Sequence, residues 1–199
     1  MATDLEILKG KTFTRVVRWD TLPLVYKAIT AITKAGPVAI TSTTHGVPDG
    51  WDVAIVSAGG MRQLNAKNWP LRSSDFHAAT KVDANIITLN DVNSSGYTTY
   101  TSGGYIVYYT PVDLSGFTAR MQIRATATAA NPPLVSLTST AGDIVLDNTA
   151  KTVTVTIAAG VTAAYTFYTG VYDLELASAT SVVTRLMYGD VTVVDEVTR

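Results

Sequence analysis

The sequence contains no cysteine, few charged residues and no long hydrophobic run. Cysteine is absent, and charged residues make up 16% of the 199 positions. Disulfides, thiol catalysis and thiolate metal sites are therefore excluded. No apolar run approaches the roughly 18 residues that a membrane helix needs. The start shows no basic segment followed by an apolar stretch, so we expect no signal peptide.

The charge balance also narrows the range of partners. The formal net charge is -1, so no broad basic surface indicates binding to nucleic acid. A surface with so few charges tolerates burial against other protein chains, because little desolvation is required. We therefore expect a protein that works in an assembly.

Strand-forming residues are abundant in the sequence. Hydrophobic residues account for 47% of the chain, and the mean hydropathy is +0.20. This content supports a packed core and argues against disorder. Threonine, valine and alanine dominate, whereas leucine, glutamate and lysine are sparse, which favours strands. The length suits one large β domain or two small ones, so we predict an all-β fold.

The stretch Leu114–Arg124 is the strongest single strand signal. Threonine, arginine and glutamine alternate there with apolar residues at Phe117, Ala119, Met121 and Ile123. A period of two residues is typical of a half-buried strand with one apolar face. We expect this strand to lie centrally and to pair with strands from both ends of the chain.

The strand pattern changes along the chain. Between residues 28 and 106, short strand-like segments are closely spaced and separated by glycine and proline, which predicts a small β-barrel. After Pro111 the strands lengthen, with Thr152–Ile157 and Gly170–Leu176 the clearest. In the latter we expect Tyr172, Leu174 and Leu176 to face the core. Ala158–Tyr165 is expected to form one helical turn.

Two groups of residues are candidates for metal or acid–base chemistry. His45 or His77 with a carboxylate such as Asp49 or Asp52 could form one. The alternative, which we favour, is a structural turn at His45 and a surface position for His77. Asp143 and Asp147 could bind calcium, but two carboxylates are too few, and the end of a solvated hairpin is favoured. Gly59-Gly60-Met61 lacks the lysine and helix of a phosphate cradle and is interpreted as a turn.

Tyrosines and arginines supply the candidate interface residues. The densest aromatic cluster consists of Tyr97, Tyr100, Tyr105, Tyr108 and Tyr109, and it is compatible with a barrel core, a stacking platform for sugar or a protein interface. Arg120, Arg124 and Arg185 could form a cationic face toward an acidic partner, or an ordinary solvated strand face. The interface residues that we select are Tyr97, Tyr100, Tyr105, Tyr108, Arg120 and Arg124.

No serine nucleophile elbow or paired-carboxylate hydrolase signature is visible. We therefore expect no enzyme, no catalytic residue, no cofactor and no metal.

The two ends of the chain share an ordered set of motifs with a known family. The motifs are Leu5-Glu6-Ile7, Gly10, Phe13, Trp19, Asp113–Arg124, Val153–Ile157, Tyr172–Leu176 and Thr184-Arg185-Leu186 with Gly189 and Val191. Together they resemble the small immunoglobulin-like β-domains of tailed bacteriophages, in particular the amino-terminal domain of baseplate upper proteins. The resemblance implies a β-sandwich built from both ends of the chain.

The middle of the chain resembles a second module. Residues 37–104 are similar to the first catalytic-cysteine half-domain of ubiquitin-activating enzymes, a module that also occurs in phage tail proteins. The motifs are Ile40-Thr41, Thr44-His45-Gly46, Gly50, Val53, Ile55, Gly59-Gly60-Met61, Leu64-Asn65, Asn85, Leu89 and Gly96–Gly104. Trp69–His77 departs from the short turn usual there. Ubiquitin activation does not carry over, since the chain has neither cysteine nor a nucleotide-binding motif.

The two resemblances together imply an architecture and a role. Residues 1–27 and 107–199 are expected to form an immunoglobulin-like β-sandwich, interrupted by a small inserted β-barrel at residues 28–106. Insertion into a loop is tolerated because loop-closure entropy grows slowly with length. The implied role is a structural protein of a tailed phage virion, made in the host cytoplasm. It would be a tail adaptor or ring to which fibres or spikes attach. Its expected partners are other tail proteins and copies of itself, without nucleic acid or membrane.

Three alternative roles remain open at this point. The first is a carbohydrate-binding module that contacts the host surface. The second is a hydrolase that acts on cell-wall polymer, although no catalytic constellation in the sequence supports it. The third, within the structural class, is a head–tail connector or capsid decoration protein.

Overall fold

Strands dominate the structure, as expected from the abundance of threonine and valine. The structure is a computed structural model that describes residues 2–197, and it confirms the all-β class. The strands in that range are β1 (Leu5–Leu8), β2 (Phe13–Arg18), β3 (Asp20–Ala28), β4 (Ala31–Ile32), β5 (Val38–Thr41), β6 (Trp51–Val56), β7 (His77–Lys81), β8 (Ile86–Leu89), β9 (Tyr105–Pro111), β10 (Thr118–Arg124), β11 (Val135–Thr138), β12 (Ile144–Asp147), β13 (Thr152–Ile157), β14 (Thr169–Ala177) and β15 (Val183–Val194). One short helix, α1 (Ala159–Ala163), confirms the predicted helical turn.

The chain divides into two compact units. One contains residues 2–19 and 113–197 of the described range and is called the sandwich unit. The other, Asp20–Val112, is called the barrel unit. Residues 1, 198 and 199, which belong to the predicted sandwich range, lie outside the described residues.

The sandwich unit contains two sheets. The larger has the strand order β1-β15-β14-β10-β11, and the smaller has the order β12-β13-β2. β1 runs parallel to β15, whereas the other neighbours are antiparallel. The inward residues of both sheets are buried, among them Ile7, Met121, Val153 and Leu174. Burial of these apolar side chains is the main stabilising term.

The predicted faces of the central strand are correct, but its predicted partners are not. Ala119, Met121 and Ile123 of β10 are buried, as is the face of β14 that carries Tyr172 and Leu174. However, β10 pairs with β11 and β14, which both follow it in the chain. The amino-terminal strand β1 pairs instead with β15. Alternation determines the inward face of a strand but contains no information on which neighbour it pairs with.

The barrel unit is one curled sheet. Its strand order is β3-β9-β6-β7-β8-β5-β4. The outermost strands, β3 and β4, are consecutive in the chain. Between them Ile29 donates its backbone N–H to Gly104, while Thr30 donates to Thr41 on the opposite side of the sheet. One bent segment therefore connects the two edges, and the enclosed core includes Trp51, Ile55, Met61 and Ile106.

The boundaries between the units differ from those predicted. The sequence predicts residues 20–27 and 107–112 in the sandwich, but the structure places them in the barrel unit. β3 and β9 pair along their lengths, from Asp20 opposite Pro111 to Ala28 opposite Tyr105. β9 also pairs with β6. These backbone hydrogen bonds hold both segments within the barrel sheet. The pairing tolerates Pro23, because the register shifts between Thr21 and Leu24.

Candidate functional site

The outward side of the five-stranded sheet forms a cleft of about 770 Å³, here called the polar groove. Its floor is formed by the side chains of Arg120, Gln122, Asp173, Glu175, Arg185 and Tyr188. Asp4, Arg124 and Asp190 also line it. On β10 and β14 the floor residues alternate with buried residues, so the strand period that builds the core also assembles the groove. On β15 a register shift places two buried residues, Leu186 and Met187, between Arg185 and Tyr188.

The pairing register arranges the floor in rows across three strands. Arg120 of β10 lies opposite Glu175 of β14, which in turn lies opposite Arg185 of β15. In the next row Asp173 lies between Gln122 and Tyr188. Side chains directly opposite one another on neighbouring strands are close enough to interact. The groove therefore has an ordered pattern of charges of both signs.

Both predicted interface arginines, Arg120 and Arg124, lie at this groove, but each already forms hydrogen bonds with residues of the same chain. Nε and Nη2 of Arg120 donate to Oε2 of Glu175 at 2.8 and 2.7 Å. Arg124 donates to Gln122, to the carbonyl oxygen of Ala129 and to Asn131. Arg124 thus holds the loop that follows β10. That these arginines form a cationic face toward an acidic partner stays a prediction. Their hydrogen bonds within the chain leave less positive charge available to attract such a partner.

The predicted tyrosine cluster divides between core and surface. Tyr108 is only 3% exposed, so it is a core residue rather than a surface contact. Tyr97 and Tyr100 pack partly against the same core. The Tyr100 hydroxyl lies 3.0 Å from the carbonyl oxygen of Ile29 and 2.9 Å from that of Gly103, and its single hydrogen is shared between these two acceptors. Of the selected tyrosines, Tyr105 is the exposed one, at 44%.

Tyr105 belongs to an exposed aromatic pair that the sequence did not reveal. Its ring meets that of Tyr26 edge to face, with the centroids 6.1 Å apart. Both rings are exposed. Tyr26 lies on β3, and the pairing of β3 with β9 brings together two tyrosines that are 79 positions apart in the chain. Exposed tyrosine is characteristic of protein interfaces, so this pair is called the tyrosine surface.

A second surface missed by the sequence analysis lies on the three-stranded sheet. Val16 of β2 and Val145 of β12 flank Thr154 of β13 in one row. The valines are 48% and 55% exposed. The alternation in β2 alone leaves its inward face undecided, because both of its faces carry apolar residues. This set of three residues is called the valine row.

His45 is a structural residue, as we favoured. Its side chain is fully buried, and both ring nitrogens have partners. Nε2 lies 3.0 Å from the carbonyl oxygen of Asp83, whereas Nδ1 accepts a 2.9 Å hydrogen bond from the Val47 N–H. These partners assign the proton to Nε2. Burial lowers the pKa of the imidazole, because the charged form is poorly solvated there.

The other candidate residues serve local structure. His77 is partly exposed, and its Nδ1 lies 2.7 Å from Oδ2 of Asp91. Oδ1 of Asp49 accepts the backbone N–H of Lys81. Oδ1 of Asp147 accepts two backbone N–H groups, from Thr149 and Ala150, and so holds the hairpin turn.

Among residues 2–197, no three His, Cys, Asp or Glu side chains are grouped so that they could hold a metal ion. No helix in the same range has the length and apolar character required to cross a membrane.

The departure of Trp69–His77 from a short turn has a clear physical basis. Asp75 is almost fully buried, and its carboxylate accepts hydrogen bonds from the backbone N–H groups of Lys67 and Arg72, each at 2.9 Å. It also accepts one from the Asn68 side chain. The buried carboxylate of Asp75 thus holds the longer loop in place through hydrogen bonds from Lys67, Asn68 and Arg72.

Comparison with known proteins assigns the chain to no family. No protein-family model matches the sequence, and no curated protein matches it significantly.

Proposed function

We propose that this chain is a structural component of a tailed phage virion, a tail adaptor or ring protein to which fibres or spikes attach. The motif resemblance of the chain ends and of the middle module to phage tail proteins supports this proposal. The observation that carries it is the valine row, an exposed β-branched surface on a chain with few charges. Exposed apolar groups of this kind favour contacts with other proteins.

An adaptor needs at least two contact surfaces, and each unit offers one. The sandwich unit has the valine row, where Val16 and Val145 flank a threonine that adds little desolvation cost. The barrel unit has the tyrosine surface, where Tyr26 and Tyr105 present large apolar area with a polar tip. In the proposed mechanism the sandwich unit docks on the tail, and the barrel unit contacts a neighbour or an appendage.

The first experiment removes the chain from the particle. Tails assembled without it should lack fibres, because the attachment point is missing. Cryo-electron microscopy of the purified tails shows fibre occupancy directly. Fibres present at normal occupancy on tails that lack the chain would refute the adaptor role. A map that places the chain on the capsid or the neck would replace the adaptor with a decoration or connector protein.

The second experiment tests the valine row itself. The double substitution Val16→Lys and Val145→Lys should leave a folded chain, because both side chains are exposed, but it should prevent incorporation into particles. Burial of two unpaired charges in a contact is strongly unfavourable. Val182→Lys is the matched control, since Val182 is an exposed valine outside the row. Incorporation of the double variant at the level of the control would show that the valine row is not a contact.

A further inference from the structure

The polar groove has the dimensions of a small-molecule site. Its volume of about 770 Å³ falls in the range of roughly 300–1,000 Å³ typical of ligand pockets. Its floor crosses β10, β14 and β15, each of which pairs with a strand on both sides. No free strand edge is therefore offered there for a peptide backbone to extend the sheet. A ligand in the groove must bind to side chains.

Several polar groups in the groove have unused hydrogen-bonding capacity. In the described part of the chain, the carboxylates of Asp173 and Asp190 have no hydrogen bond or ion pair. Oε1 of Gln122 accepts two hydrogen bonds from Arg124, which leaves its amide NH₂ as a donor. The guanidinium carbon of Arg185 lies over the ring of Tyr188, 4.1 Å from the centroid, and this cation–π contact uses none of the N–H donors of the arginine.

The charges select against most classes of ligand. Asp4, Asp173, Glu175 and Asp190 oppose an anion, and Arg120, Arg124 and Arg185 oppose a cation. An apolar ligand would strip water from these groups without replacing their hydrogen bonds. A hydroxyl group both donates and accepts, so it can bind to a carboxylate and a guanidinium at once. A neutral ligand with many hydroxyl groups matches this pattern.

The groove is also held in a defined shape before any ligand binds. The Arg120–Glu175 pair fixes one end of the first row, and Arg124 is anchored by Gln122, Ala129 and Asn131. Tyr188 is held beneath Arg185. Side chains that are already ordered lose little conformational entropy on binding.

We propose that the polar groove binds a neutral oligosaccharide, with Asp173 and Gln122 at the centre of the site. Asp173 accepts hydrogen bonds from sugar hydroxyls, and the Gln122 amide and Arg185 donate to the same ligand. This activity goes beyond the proposed adaptor role, since docking through the valine row or the tyrosine surface does not involve the groove.

Titration of the intact chain with defined trisaccharides tests the proposal. The probes are cellotriose, maltotriose and chitotriose, with trigalacturonate as the anionic comparison. We expect at least one neutral probe to bind with a Kd of about 1 mM or lower and to shift the NMR amide signals of β10, β14 and β15. Asp173→Ala and Gln122→Ala should each weaken that binding by about tenfold or more.

Glu6→Ala is the matched control, because Glu6 is an exposed carboxylate on the neighbouring strand β1 and does not line the groove. It should bind the probe as the unmodified chain does. No binding of any neutral probe at about 10 mM would overturn the proposal. Tighter binding of trigalacturonate than of every neutral probe would also overturn it. The same holds for an equal loss of affinity for the neutral probe in Asp173→Ala and Glu6→Ala. Assembly of the particle through the valine row is measured separately, so that failure here leaves the adaptor test unaffected.

Discussion

The hydroxyl of Tyr108 donates a 2.7 Å hydrogen bond to the carbonyl oxygen of His45, and both residues are buried. The contact joins β9 to the segment between β5 and β6. From the sequence, Tyr108 was a candidate interface residue and His45 a candidate for metal or acid–base chemistry. In the structure they form one internal link of the barrel unit.

Removal of the Tyr108 hydroxyl should destabilise the barrel unit. In Tyr108→Phe the ring still fills its place, but the buried His45 carbonyl loses its side-chain partner. The expected loss in free energy of unfolding is about 1–3 kcal/mol. Urea denaturation, followed by hydrogen exchange of β6 and β9, measures it. Tyr105→Phe is the control and should change the free energy little, because Tyr105 is exposed; equal effects of the two substitutions would contradict the assignment.

The burial of His45 predicts a loss of stability on mild acidification. Burial lowers the pKa of its imidazole below the ordinary value of 6.5. Between these two pKa values the unfolded chain binds more protons than the folded chain, so the free energy of unfolding falls as the pH falls. The contribution is complete above 6.5 and is lost as the pH drops through the lower, folded pKa.

Urea denaturation at about pH 7.5 and pH 5.5 measures this dependence. The loss should persist in His77→Gln, because His77 is partly exposed and its pairing with Asp91 is independent of the barrel core. A free energy of unfolding that stays constant or rises toward the lower pH would contradict the prediction. NMR titration of the imidazole signals identifies the group directly.

Asp75 should control the order of the loop at residues 67–76. The hydrogen bond from the Arg72 N–H is the main cause that lowers the pKa of the Asp75 carboxyl, so the group is ionised and accepting at neutral pH. Asp75→Asn removes the charge and places an NH₂ group among donors. Hydrogen exchange in the loop should accelerate on the order of tenfold or more, as measured by mass spectrometry. Ser74→Ala, at an exposed neighbouring position, should leave the exchange unchanged; acceleration in both variants would assign the effect to the loop sequence rather than to the carboxylate.

Gly60 should tolerate no side chain. Its φ of +76° is one that residues other than glycine rarely adopt, and an added Cβ would overlap the carbonyl oxygen of Thr99. Gly60→Ala should therefore lower the free energy of unfolding of the barrel unit by about 2 kcal/mol or more. Gly96→Ala is the matched control, since nothing lies within 4 Å of its added Cβ. A denaturation midpoint equal to that of the control would contradict this role for Gly60.

Local patterns determined much of the fold in advance. The alternation at Ala119, Met121 and Ile123 predicted which side of β10 is buried, and the structure confirms it. The turn at Gly59-Gly60 and the helical turn near Ala159 were likewise predicted from short stretches of sequence. These features depend on residues that are neighbours in the chain, so their causes are visible in the sequence.

The surfaces depend on pairs that are distant in the chain. The sequence alone established an all-β chain without thiol chemistry, and it named Arg120 and Arg124 on one strand face. Only the tertiary structure decided that β14 and β15 bring Glu175 and Arg185 beside Arg120. It also decided that Tyr26 meets Tyr105 and that Tyr108 is buried. Strand alternation defines a face, but the register and the choice of neighbouring strand follow from the packing of the whole unit, which no local pattern contains.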